Sequence, residues 1–160
     1  MRIGIVSDTH LHCSEEAHQL LRGPLQGVEL ILHAGDVVAA EVIDALDRIA
    51  PVRGVAGNMD LPEVRRRWPE KQEITVGAYR IGLIHGSGPP QGLEQRVLRE
   101  FSPAIDAVVF GHSHQPLVVR QCNILLINPG SPTDRRFAPC HSVALLDVEP
   151  GGLRARLIRI

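Results

Sequence analysis

A surplus of either charge is missing from this chain: 17 Lys and Arg stand against 18 Asp and Glu, for a net charge of −1 and a pI near 6.7. Such balance gives no electrostatic footprint for polyanionic nucleic acid. Arg65-Arg66-Arg67 is a local basic run, and it reads as a solvated loop. Cysteine is scarce as well. Cys13, Cys122 and Cys140 are odd in number and show no CxxC spacing, which speaks against a disulfide framework and for free thiols in a reducing compartment. No apolar run approaches the ~18 residues of a membrane span. Asp8 and His10 interrupt any signal-like apolar stretch near the first residue. The expectation is a cytoplasmic protein with no membrane partner. There is no Gly-x-Ser-x-Gly elbow, no Walker A loop and no Rossmann glycine fingerprint, so a serine nucleophile, P-loop chemistry and dinucleotide binding have no anchor. Disorder is excluded by a 44% hydrophobic content.

At 160 residues the chain is most simply one domain, 1–160, long enough for a real core. Its first third alternates strand and helix. Ile3–Val6 and Leu30–Leu32 are short apolar runs typical of buried parallel strands, and Pro51–Ala56 is a third. Between them, Ser14 offers a cap to a helix with Glu15 and Glu16 in its first turn, ended by Gly23-Pro24. Val42, Ile43, Leu46 and Ile49 mark a second helix. This β-α-β-α-β order implies parallel strands with right-handed crossovers. Antiparallel pairs dominate the remainder. Ile74–Val76 and Arg80–Ile84 form a hairpin about Gly77-Ala78-Tyr79, Leu117–Arg120 pairs with Ile124–Ile127, and Val143–Val148 with Leu153–Ile160. A helix through Leu93, Val97, Leu98 and Phe101 precedes a strand at Ala107–Phe110. Asp60–Glu70 and Asn128–Cys140 read as irregular.

Five segments place metal-binding side chains beside glycine or another ligand: Asp8-Thr9-His10, Gly35-Asp36, Gly57-Asn58, His85-Gly86 and Gly111-His112-Ser113-His114. Taken singly, each is an ordinary strand-to-loop turn or a satisfied polar residue. All five, however, follow the carboxyl end of an expected strand, the rim on which α/β sites assemble. Spacing of two puts His112 and His114 on one side of an extended segment. Two carboxylates, one amide and four imidazoles suit Mn, Fe, Co, Ni or Zn. Seven donors exceed one ordinary centre and fit two ions about 3.5–4 Å apart, the usual device for displacement at phosphorus. His33 is placed to stand behind the site, and His12 to reach substrate. Cys13 is a possible further ligand that the His and Asp donors make unnecessary.

On these residues the chain resembles the calcineurin-like metallophosphoesterases, and most of all their small single-domain YfcE-type phosphodiesterases. The family order D-x-H, G-D, G-N, H, G-H-x-H is met by the five segments in turn, so the resemblance spans the whole chain. It implies a four-layer α/β/β/α sandwich of two mixed sheets flanked by helices. It implies one metal on Asp8, His10, Asp36 and His114 and another on Asp36, Asn58, His85 and His112, with Asp36 bridging and Asn58 also near a phosphate oxygen. Catalysis would run through Asp36, Asn58 and His85, which hold a hydroxide bridging two divalent transition-metal ions, Mn foremost. Asn128-Pro129-Gly130-Ser131 resembles a further loop of the small branch near the site. Arg135 or Arg136 would then meet the phosphate, a plain surface loop being the alternative.

The chain departs from the larger relatives at Met59. They carry G-N-H-E, whereas Gly57-Asn58-Met59-Asp60 lacks that histidine. Methionine cannot deliver a proton, which argues against phosphomonoesterase and protein phosphatase activity. The expected function is a binuclear-metal-dependent phosphodiesterase acting on a phosphodiester substrate. The alternatives are another phosphoesterase (nucleotidase, nuclease or phosphomonoesterase) or a binding module without catalysis, as the retromer subunit of this fold serves. The natural substrate, the physiological metal and assembly into a homo-oligomer stay open.

Overall fold

The computed structural model describes residues 1–160 and places the first three strands side by side. These are β1 (Arg2–Val6), β2 (Leu30–His33) and β3 (Val52–Gly54). They run parallel, with Ile5 opposite Leu32 and His33 opposite Gly54. Two long antiparallel strands, β9 (Ser142–Glu149) and β10 (Gly152–Arg159), extend this sheet on the far side of β1, giving the order β10-β9-β1-β2-β3. The second sheet runs β4 (Lys71–Val76), β5 (Tyr79–Ile84), β6 (Ala107–Val109), β8 (Ile124–Asn128), β7 (Leu117–Gln121). Its hairpins β4–β5 and β7–β8 are antiparallel, while β5, β6 and β8 are mutually parallel.

The largest apolar cluster lies between the sheets. Ile3, Ile5 and Leu146 of the first sheet meet Ile81, Val109 and Ile127 of the second. Each sheet buries its outer face under helices. Helix α1 (Ser14–Leu21) and helix α2 (Ala40–Asp47) cover the first sheet through Leu21, Val42 and Leu46, and α4 (Leu93–Arg99) covers the second through Leu93 and Val97. The result is the expected α/β/β/α sandwich of two mixed five-stranded sheets. Packing on both faces explains why the central strands read as continuous apolar runs rather than as alternating ones.

Four local expectations need correction. Ser14 is the first residue of α1 and caps nothing. Cys13 holds the cap position in an extended conformation with no side-chain bond to the helix. The stretch Asp60–Glu70 is not irregular, since α3 (Pro62–Arg67) occupies most of it. Pro62 opens that helix where its missing N–H costs nothing. Val64 is its one buried residue, so no periodic stripe marked it in the sequence. The arginine run is therefore the last turn of a helix rather than a loop. Arg67 bonds Asp44 at 2.6 Å and lies 3.3 Å from Asp47. Strand β4 begins at Lys71, three residues earlier than the hairpin signal, because its polar outer residues hide an edge strand that pairs as far as Ile84.

Candidate metal centre

The parallel strands of both sheets point their carboxyl ends at one place. β1 delivers Asp8 and His10, β2 Asp36, β3 Asn58, β5 His85, and the segment after β6 delivers His112 and His114. Five of these turn the chain with positive φ: Asp8 (53°), His10 (47°), Asp36 (55°), His112 (68°) and His114 (58°). Residues with side chains rarely adopt this conformation, and where they do the surrounding structure must enforce it. Gly57 and Gly111 show how tight the enforcement is. A Cβ on Gly57 would collide with the Asp36 carboxylate, and one on Gly111 would collide with Ser7 Oγ and lie 2.6 Å from Asp8 Oδ2.

All seven candidate donors converge. Asp8 Oδ1 lies 3.3 Å from His114 Nε2, 3.9 Å from His10 Nε2 and 4.0 Å from His85 Nε2. His85 Nε2 is 3.3 Å from Asp36 Oδ2 and 3.1 Å from Asn58 Oδ1, and Asn58 Oδ1 is 3.2 Å from His112 Nδ1. The nitrogens of His10 and His114 face each other at 3.2 Å. Two three-donor groups emerge, Asp8 with His10 and His114, and Asp8 with Asp36 and His85. By distance the carboxylate common to both groups is Asp8, with Asp36 in the second.

The outer contacts fix which atoms face inward. His85 Nδ1–H donates to the Ala34 carbonyl at 2.7 Å, His114 Nδ1–H to the Asp134 carbonyl, and His112 Nε2–H to Gly88 at 2.9 Å. Each bond leaves the other ring nitrogen, as a lone pair, aimed into the cluster. Asp8 Oδ2 accepts from Ser7 Oγ at 2.6 Å and from the His112 amide at 3.0 Å, while its Oδ1 is buried with no hydrogen-bond donor. A buried carboxylate oxygen without a donor, ringed by imidazole lone pairs, calls for a cation. The donor set therefore fits divalent metal.

The charges agree. Burial would raise the Asp8 carboxyl, but His114 and His85 outweigh it and hold it below the usual range. Burial of Asp36 is likewise overcome by His85 and by the Met59 amide. His85 and His114 are pushed down by burial yet end above the ordinary histidine value, because Asp36 and Asp8 face His85 and Asp8 faces His114. Burial lowers His10. The histidines facing Asp8 and Asp36 thus offset the cost of burying the two carboxylates.

Two supporting residues, Asp60 and Arg65, carried no signal of their own. Asp60 is buried and accepts three amide bonds, from Asp36 (3.1 Å), Val38 (2.6 Å) and Gly57 (2.6 Å), stitching the β2 loop to the β3 loop. Arg65 reaches from α3 to the carbonyls of Gly57 (2.8 Å), Asn58 (3.1 Å) and Asp60 (3.0 Å). Ser131 Oγ donates to the Asp8 carbonyl at 2.7 Å, and Asn128 Nδ2 to Gly111 at 3.0 Å, so the Asn128–Ser131 loop props the site from behind. His33 lies in the expected place. It is fully buried and sits 3.3 Å from the hydroxyl of Thr9, between two candidate ligands. Met59 is 56% exposed, and what it gives the site is its backbone amide, 2.7 Å from Asp36 Oδ1. Among the suggested substrate contacts, His12 is exposed and joins neither donor group. Arg135 donates to Pro139 within its own loop, 3.3 Å away. Arg136 lies 3.5 Å from Asp134 and close enough to His114 to oppose its charge. Cys13, also exposed, belongs to no donor group.

A two-sheet sandwich with carboxylates and imidazoles gathered at its strand ends is an arrangement suited to divalent metal. The chain belongs to the calcineurin-like phosphoesterase superfamily, whose domain model matches residues 1–151. A probable metallophosphoesterase of Methanocaldococcus jannaschii is 39% identical over 166 residues, covering 100% of this chain and 82% of the relative. A phosphodiesterase of the same organism is 26% identical over 140 residues, covering 81% and 83%. Among solved structures, Vps29 of Chaetomium thermophilum superposes with a TM-score of 0.78 at 20% identity, covering 100% of this chain and 93% of that one.

Proposed function

We propose that this protein is a phosphodiesterase working with two divalent metal ions. The observation that carries the reading is the buried, donor-less Asp8 Oδ1 at the junction of two three-donor groups. Asp8, His10 and His114 would hold one ion, and Asn58, His85 and His112 the other, with Asp36 between them. When bound, such a pair supplies an activated water and positive charge opposite the phosphate. The chain's own groups do the rest. The Nδ1–H bonds of His85 and His114 fix their rings, Met59 N–H and the Asp60 stitch hold Asp36, and Asn58 presents an amide at the cluster's edge.

Diester preference follows from Met59. A leaving alkoxide needs a proton, and a positioned acid contributes about 10²–10⁴-fold to such a step. The side chain at position 59 is an exposed thioether, and the neighbouring Asp60 carboxylate is turned away onto backbone amides. The site is therefore suited to diesters with good leaving groups. The phosphodiesterase relative supports this class, and the three free cysteines suit a cytoplasmic setting.

The test is a panel of metal-stripped protein reloaded with Mn, Ni, Co, Fe or Zn and assayed on bis(p-nitrophenyl) phosphate and p-nitrophenyl phosphate. We expect diester turnover to lead with Mn or Ni and to require close to two ions per chain. Full activity with one ion, or faster monoester turnover, would overturn the reading.

A further inference from the structure

A cavity of about 520 Å³ opens directly beside the metal donors, with Asn58 and His85 in one wall. That volume lies within the range of sites for small organic ligands, roughly 300–1,000 Å³. The rest of its lining is rich in cations: Arg65 from α3, which bonds the carbonyls of Gly57 and Asn58, and Arg96 and Arg99, three residues apart on one side of α4.

No carboxylate is paired with any of these arginines. Arg65 bonds only backbone carbonyls. Arg96 also bonds only carbonyls, those of Ser87 (3.1 Å), Gln91 (2.9 Å) and Pro89, and so shapes the loop that follows Ser87 in the cavity lining. Arg99 is exposed at the rim and takes part in no ion pair or hydrogen bond. Two carboxylates also line the space, Glu70 and Glu100, but Glu100 is bound by Lys71 at 3.0 Å. Three arginines and Lys71 against two glutamates leave an excess of two positive charges. A terminal phosphate carries about −1.5 to −2, and guanidinium offers it paired donors in a matching plane.

We propose that this cavity receives a second phosphate group on the substrate, so that the preferred diester is one that also carries a terminal phosphate, and that Arg99 is the residue that selects it. Arg65 and Arg96 are tied to backbone and supply a fixed positive field. Arg99 alone has its donors free to close on the ligand. The proposal rests on the diesterase reading for its geometry, because the reacting diester must lie at Asn58 and His85 for its second phosphate to reach α4.

Two measurements on the metal-loaded protein test it. In calorimetry, thymidine 3′,5′-bisphosphate should bind roughly tenfold more tightly than thymidine 5′-monophosphate. Arg99→Gln should erase that ratio while leaving monophosphate affinity unchanged. In turnover, the p-nitrophenyl ester of thymidine 5′-phosphate should gain in kcat/KM when a 3′-phosphate is added, through KM, and Arg99→Gln should remove the gain. Equal affinity for the two nucleotides, or a ratio that survives both Arg99→Gln and Arg99→Glu, would overturn the proposal. If neither ester turned over while the Arg99-dependent ratio persisted, the diesterase reading would fall and the anion cavity would stand. Brisk turnover of both esters with no ratio would do the reverse.

Discussion

Asp36 is the residue on which most of the site's order depends. Its Oδ2 faces His85 at 3.3 Å, its Oδ1 accepts the Met59 amide at 2.7 Å, and its own amide is tied to Asp60. Asp36→Asn keeps the shape but removes the charge that opposes two cations. We expect loss of at least one metal per chain and a fall in diester turnover of more than about 100-fold, read by elemental analysis and initial rates. Retention of both ions and of activity would place the bridging role on Asp8, the carboxylate common to both three-donor groups. His33 makes a second, opposite kind of contribution. Burial pushes its pKa down to about 3, so the folded protein keeps it neutral. The unfolded chain takes up that proton near pH 6.5. A depressed histidine value means stability that is present at neutral pH and drains away as pH falls from about 6.5 towards 3, at about 1.4 kcal/mol per pH unit. In urea melts of the metal-free protein, His33→Gln should therefore flatten the acid-side slope by about one proton. An unchanged slope would mean that His33 titrates normally in the folded state.

At the scale of elements, the strand-to-loop turns do the positioning, and Gly57 after β3 is the sharpest case. A methyl group there would meet the Asp36 carboxylate, so Gly57→Ala must displace either the β3 loop or Asp36 itself. It should cut turnover by about 10–100-fold and weaken metal binding, while Gly23→Ala, which meets nothing within 4 Å, should change neither. Equal activities of the two variants would show that the loop has slack. These turns were also the legible part of the chain. A metal-binding side chain beside a glycine or a second such side chain at the end of an apolar run is a local signal, and all five such segments lie at strand ends. The parallel β1, β2 and β3 and the three antiparallel pairs were equally local in their marks. What escaped was set by partners distant in sequence. Helix α3 shows one buried residue, so its existence depends on what it packs against rather than on its own periodicity. Asp60 reads like any loop acid until its three amide donors, two of them more than twenty residues away, are in place. The parallel contacts of β5, β6 and β8 likewise arise only once the hairpins are docked.

Across the whole molecule the centre lies at the seam between the sheets. The first sheet contributes Asp8, His10, Asp36 and Asn58, and the second contributes His85, His112 and His114. A metal ion held by both sides is a cross-link between halves that otherwise meet through the apolar cluster beneath it. Binding to the folded state alone stabilises by about 2.7 kcal/mol when free metal is 100 times its Kd. For a chain of this size that raises Tm by roughly 5–10 °C. The size of the rise must depend on pH, because metal needs neutral imidazoles. His85 and His114 bind their protons more tightly than ordinary histidines, through Asp36 and Asp8 for the first and Asp8 for the second. A raised value means that the proton stays on to higher pH and that the metal must displace it there. Affinity is therefore complete only above those raised values and falls as pH drops through them. With Mn or Ni held at a fixed free concentration, the increment in Tm over metal-free protein should be larger at pH 8.5 than at pH 6. His114→Gln removes one of the two competing protons together with one ligand, so its increment should be smaller at both pH values and vary less between them. An increment in wild-type protein that is the same at pH 6 and pH 8.5 would mean that metal binds without displacing protons from these histidines, and the seam would then have to be closed by other donors.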